Sequence, residues 1–410
     1  MRNELGIYAD FPQVATRDTT SYPPAFLEYM WYVSLAYAML GRAWGIDVIP
    51  SVGGGLLAVL AAACLFSVGP QIIGVYAPVA FAFFTGCSLI GIQFFLHDEQ
   101  ALDLCTAFVG WLFNLIVVQA LAQRPGFLHR VALVAFVIGL GVLPYMQGHA
   151  DTRLMRVSAG GTGISNPNSL AMWFGFSTIY FLFFGLQCRN FTVRVVSWAA
   201  GLGCLFVVAL TVSRGPLLGI ALAIVVGLRS ALKRHFVPLL TLVLLICLVY
   251  VSGAFQETVD YYLARGTEES GRGKVWPLAL QRIFDSLWIG VGLEAIPTWT
   301  SSEKAITPHN GLLYIGLGAG ILPLMCFLAY LARVGVKTFH ILRSVDVGEA
   351  ALLPPLVTFA LIEVMSLDLV FMSAWVVVVF GLAAASHHIT RCDHLRQSMP
   401  RTVISMETGE

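Results

Sequence analysis

Cations dominate the residues that could do chemistry. Arg265, Arg272 and Lys274 fall within one ten-residue stretch, RGTEESGRGK, spaced by Gly266, Gly271 and Gly273. Guanidinium groups hold phosphate oxygens through paired N–H donors, and glycine lets the backbone close tightly around such a ligand. The stretch also fits a solvated loop whose charge is balanced by Glu268 and Glu269. Arg214 stands in TVSRGPLLG, between two long apolar runs, where Gly215 and Pro216 would start a helix. It fits an anion site at a helix start, where backbone N–H groups and the guanidinium both favour phosphate. It equally fits an interfacial arginine that reaches toward headgroups. With the loop cations it carries enough charge to neutralise a diphosphate.

His309 and Asn310 open an apolar run in ITPHNGLLYIGLGAG. A histidine there can take a proton from a hydroxyl near neutral pH, or can simply sit at the boundary of the helix begun by Thr307-Pro308. Arg153 and Arg156 precede a GGTG segment and an NPNS turn, whose Asn or Ser would cap a helix. Gly316 and Gly320 have the small-xxx-small spacing of packed helices. Glu363 and Asp368 lie within or between the last apolar runs, where carboxylates are functional candidates by default. No zinc-ligand spacing, Walker motif or Rossmann glycine pattern is present.

Membrane helices must position these groups. The chain has 410 residues, 58% hydrophobic and only 11% charged, against about 25% charged in soluble domains. Its mean hydropathy is +0.80. The net charge of +1 leaves no nucleic-acid footprint. The eight cysteines are scattered without a C-x-x-C pair and read as small core residues. The reading is an all-α polytopic membrane protein, a single integral membrane domain over 1–410, with about twelve spans. They run near 27–45, 52–69, 72–96, 101–122, 129–148, 168–187, 194–212, 215–231, 236–254, 309–335, 351–367 and 369–387. Fifteen of the 24 Lys and Arg residues then fall on the side of the termini and nine on the other, five of these in one loop at 255–308. The positive-inside rule puts the termini in the cytoplasm. The loop of about 54 residues is long enough to carry function. Trp276, Leu280, Ile283 and Leu287 predict an amphipathic helix over 273–285 on the membrane surface.

Taken together, the motifs resemble the bacterial O-antigen ligase/polymerase superfamily, membrane glycosyltransferases of the GT-C type. The matching residues are Ser213-Arg214-Gly215, then GRGKVWPLAL with Arg272 and Trp276, then DSLWIGVG with Gly290 and Gly292. PHNGLLYIGLGAGI, with His309, Asn310 and Gly320, completes the set. The sequence departs where Ser286-Leu287-Trp288 replaces an Asn-Pro-Leu wording. The resemblance covers about 213–321 and is closest to the ligases. It implies transfer of a glycan from undecaprenyl diphosphate to lipid A–core on the periplasmic face of the inner membrane. The polymerase alternative extends another lipid-linked glycan; a lipid-linked sugar transporter is the reading from a different class. In the ligase reading His309 is the general base, and Arg214, Arg265 and Arg272 bind the diphosphate. Lys274, Asn310 and Arg156 support them. No metal or other cofactor is implied, and the partners are the glycan donor, the acceptor and membrane lipids.

Overall fold

A helix that is apolar on every side is driven inward, and PNSLAMWFGFSTIYFLFFGLQ is such a segment. In the computed structural model it forms α5 (Pro167–Gln187), with 17 of its 21 residues buried. The residues described are 22–46, 50–69, 84–88, 91, 100–151, 154–231, 272–291, 298–299, 305–306, 308–345, 348–366 and 374–385. They are mostly helical. Asn166 caps α5 by accepting from the Asn168 amide at 2.8 Å, and Pro167 follows at a position that needs no N–H. The Thr178 hydroxyl returns to the helix's own carbonyl, so it is buried at little cost.

Around α5 stand α4 (Phe127–Val142), α6 (Phe191–Leu210), α7 (Arg214–Ala231) and α11 (Leu353–Val364). α12 (Ala374–Ala384) joins them through Trp375, whose ring stacks on Phe176 at 5.3 Å. Phe359 of α11 meets Phe176 edge-on at 4.7 Å. It fills space that Gly175 of α5 and Gly219 of α7 leave open. A flanking group comprises α1 (Ala25–Leu40), α2 (Pro50–Val68) and α3 (Gln100–Leu121). α10 (Ile321–Ser344) packs on α11 and α12. Among the described residues, four helical segments are long and apolar enough to cross a membrane: Phe127–Tyr145, Pro167–Gln187, Phe191–Leu210 and Ile321–Ser344. Shorter apolar helices accompany them.

The bonds at helix ends sort into two poles. At the first, the buried Glu28 carboxylate near the start of α1 accepts Arg130 Nε at 2.6 Å and Nη2 at 3.0 Å, and the Tyr32 hydroxyl at 2.6 Å. Arg124 adds an ion pair at 3.3 Å. Glu349 accepts the Gly126 and Leu128 amides at the start of α4, an acid at a helix N-terminus. Gln187, at the end of α5, accepts from the Gly348 amide at 3.0 Å, and Lys337 donates to the Ala384 carbonyl that ends α12 at 2.6 Å. At the opposite pole the Gly163 amide bonds Met39 near the end of α1, and Ser213 bonds Asn168.

Two features depart from that reading. The all-α class needs amendment, because residues 146–159 form an antiparallel hairpin, β1 (Met146–Asp151) with β2 (Leu154–Ala159). Pro144 lies in the 3-10 turn that ends the expected span at 129–148, just before β1. The expected span at 309–335 is interrupted: α9 (Gly311–Ala319) ends at Gly320 and α10 begins at Ile321. The spans expected at 72–96 (apart from 84–88 and 91) and 236–254 lie outside the described residues, as does most of the 255–308 loop with Arg265.

Candidate active site

Two corners hold the motif residues. In the first, α6 ends and the chain turns at Val212, a buried β-branched residue with φ +50°. Such a residue avoids the left-handed region unless its surroundings force it there. The forcing contacts are visible on either side. Thr211 Oγ1 donates to the Val208 carbonyl at 2.7 Å, and buried Ser213 Oγ donates to Asn168 Oδ1 at 2.9 Å. Arg214 then opens α7 with its side chain exposed. Pro216 falls in the first turn, where a missing N–H costs nothing. A Cβ added at Gly215 would lie 3.1 Å from both Cβ and Oγ of Ser366. Ser366, just past α11, donates to the Ile362 carbonyl at 3.1 Å, and its hydroxyl lies 3.4 Å from Glu363 Oε2. Glu363 is fully buried.

The second corner is built by α8 (Arg272–Asp285), close to the helix expected over 273–285. Val275, Ala279 and Ile283 recur every four residues and form its buried face. Leu280 and Phe284 point away from the protein, Phe284 at 73% exposure. Arg272 and Lys274 stand at the start of α8. In the turn after them, Trp276 Nε1 donates to the Pro308 carbonyl at 2.9 Å, fixing the residue before His309. His309 is exposed with φ +44°. Asn310 is buried, and its Oδ1 accepts the Leu312 and Leu313 amides at 3.0 and 3.2 Å. It therefore caps α9 and sets where His309 sits, a role of local structure.

Behind α8 the chain is pinned backbone to backbone. Val291 N donates to Leu317 O at 2.6 Å, and Ile321 N donates to Leu287 O at 2.8 Å. Gly290 and Gly320 have φ of +81° and +86°. A Cβ at Gly290 would fall 2.5 Å from Leu317 O, and one at Gly320 would fall 2.5 Å from Trp288 O. The glycine spacing thus has two meanings. Gly316 packs against Ile283 of α8, as helix packing predicts, whereas Gly320 is the break itself. A short pair, β3 (Thr298–Trp299) with β4 (Ala305–Ile306), folds the chain back before Pro308.

The second corner gathers the start of α8, with Arg272 and Lys274, beside His309 and Asn310. Arg214 occupies the first. Arg156 lies in β2, paired in register with His149, on the hairpin that leads into α5. Arg265 and Arg153 lie outside the described residues. Sequence reasoning missed Asn168 and Ser366 as partners of the Ser-Arg-Gly turn. Asn168 was visible only as part of a capping turn, and the cap is Asn166 instead.

Residues 198–328 match the family model described as O-antigen ligase. The matched stretch begins within α6 and ends within α10, so it contains both corners. The match supports assignment to the O-antigen ligase/polymerase family. No curated protein gives a significant match to the chain.

Proposed function

We propose that this protein is a membrane glycosyltransferase that moves an oligo- or polysaccharide from undecaprenyl diphosphate to a sugar hydroxyl of lipid A–core. It works on the periplasmic face of the bacterial inner membrane, with its termini in the cytoplasm. One observation carries the reading. Among the described residues, Val212 and His309 are the non-glycine residues with positive φ. One immediately precedes Ser213-Arg214 and the other heads His309-Asn310, and both lie in the segment that matches the family. Each such conformation costs about 1–3 kcal/mol and persists where the fold over-determines it, typically at functional sites.

The reaction breaks the bond from the donor sugar's anomeric carbon to diphosphate and forms one to the acceptor oxygen. The departing diphosphate needs charge stabilisation more than protonation, which preorganised arginines supply well in a low-dielectric site. Arg214 holds it from the first corner; Arg272 of the second corner, or Arg265 from the loop before it, completes the grip, with Lys274 adding charge. His309 takes the acceptor's hydroxyl proton as the new bond forms. A single in-line displacement inverts the anomeric carbon. Asn310 supports His309 by capping α9, and Arg156 adds a cation from the hairpin. The outward apolar side of α8 meets lipid and lids the site.

The test reconstitutes the purified protein with an undecaprenyl-diphosphate glycan and offers lipid A–core in one reaction and only donor in another. Product on lipid A–core, abolished by Arg214→Ala and by His309→Ala in folded protein, is the expected result. A ladder of lengthened lipid-linked glycan without core would make it a polymerase. Near-normal transfer by either variant removes that residue from the mechanism.

A further inference from the structure

We propose that Glu363 is a positioning residue for Arg214, acting through the first turn of α7. The inference rests on the proposed diphosphate role of Arg214 and extends it to a residue outside the matched segment. α7 and α11 run antiparallel and nearly in backbone contact. A Cβ at Gly219 would lie 2.8 Å from Phe359 and 3.5 Å from Ile362, and one at Gly215 would lie 3.1 Å from Ser366. Glu363 lies between Ile362 and Ser366 at the end of α11, level with the beginning of α7, and its Oε2 is 3.4 Å from the Ser366 hydroxyl that faces Gly215. It is fully buried in an apolar helix. A carboxylate in that setting is costly to keep, and such residues mark functional sites by default.

Two further features tie it to Arg214. The start of α7 presents backbone N–H groups that have no partner within the helix, and Pro216 contributes none. That end of the helix carries partial positive charge and favours a neighbouring carboxylate. The Ser366 hydroxyl bridges the two elements, 3.4 Å from Glu363 Oε2 and against Gly215 on its other side. From the opposite side Ser213 is tied to Asn168 at 2.9 Å. The Arg214 backbone is thereby held between α5 and α11, with its side chain exposed. Glu363 does not itself touch substrate in this arrangement. Its carboxyl group and the Ser366 bridge fix the angle at which α7 begins, and a misplacement of about 1 Å costs on the order of a hundredfold in rate.

The experiment uses the full-length protein in lipid nanodiscs, with undecaprenyl diphosphate as binding probe and the complete glycan donor for kinetics. Glu363→Gln is expected to cut donor kcat/KM on the order of a hundredfold while the acceptor KM holds, with Glu363→Asp recovering part of the loss. Glu28→Gln removes a buried carboxylate at the other pole; it should lower the thermal midpoint and leave the donor KM unchanged. In Arg214→Ala protein, Glu363→Gln should weaken undecaprenyl diphosphate binding no further, because both changes remove one contribution. Additive losses in that double-mutant cycle, or wild-type kinetics in Glu363→Gln, would overturn the inference. Should Glu363→Gln fold poorly, Ser366→Ala probes the same bridge and should raise donor KM several-fold; an unchanged KM counts against it. A wild-type protein that neither binds the probe nor transfers glycan would instead sink the functional reading.

Discussion

Gly320→Ala probes the joint on which the second corner rests. Gly320 has φ +86° and ψ −173°, a region open almost solely to glycine, where another residue pays about 1–3 kcal/mol. The new methyl would also sit 2.5 Å from Trp288 O and 2.7 Å from its carbonyl carbon. Ordinary contact needs about 3.5 Å, so the 287–291 segment must retreat by roughly 1 Å. That movement breaks the Ile321–Leu287 and Val291–Leu317 bonds, each contributing about 0.5–1.5 kcal/mol. The total is about 2–6 kcal/mol. The retreat also unseats α8, which carries Arg272 and ties itself to Pro308 through Trp276. The assay pairs thermal unfolding in detergent with transfer activity. Gly335→Ala is the comparator, since it lies within α10 with nothing within 4 Å of an added Cβ; it should be neutral or gain up to about 1 kcal/mol. If Gly320→Ala unfolds at the wild-type temperature and transfers at the wild-type rate, the joint has no such role.

Three other changes test separate parts of the argument. His309→Gly should relieve the left-handed backbone and stabilise the protein by about 1 kcal/mol while abolishing transfer; a fall in thermal midpoint would show that His309 is not strained. Asn310→Ala removes the cap of α9 and should cost about 0.5–2 kcal/mol, with Asn310→Asp retaining most of the stability in the same unfolding assay. Arg130→Ala leaves the buried Glu28 with fewer partners. Because Arg124 remains and Arg130 is partly exposed, a loss of about 2–3 kcal/mol is expected, without a change in donor KM. Activity lost in proportion to donor affinity there would mean that the two poles are coupled.

Hydropathy and residue type made part of this molecule legible. Three- and four-residue spacing marked α8, and the length of the apolar runs marked the helices around α5. The Ser-Arg-Gly and His-Asn motifs could be named because each couples a rare polar residue to a helix start. What escaped depended on contacts between distant segments. Nothing around Ser366 announces that it meets Gly215, because periodicity reports how apolar a neighbourhood is and not which helix supplies it. The hairpin at 146–159 was hidden by its place beside a hydrophobic run, where six-residue strands give a weak signal. Gly320 was read by its spacing, although its backbone angle decides its role.

The harder failure is more informative. Local preference would never put a valine at φ +50°, so Val212 could not have been found by any propensity argument. It is held there because Thr211, Ser213 and Asn168 are already committed to neighbours on α6 and α5. His309 is held likewise, between a carbonyl fixed by Trp276 and a cap fixed by Asn310. In both corners the polar residue expected to act is left exposed, while the residues beside it are buried and bonded. Strain of this kind has to be offset by packing elsewhere, and the buried length of α5 beneath the first corner provides it. A sequence that breaks its local rules at two places, each against a motif residue, has been shaped there by something other than folding.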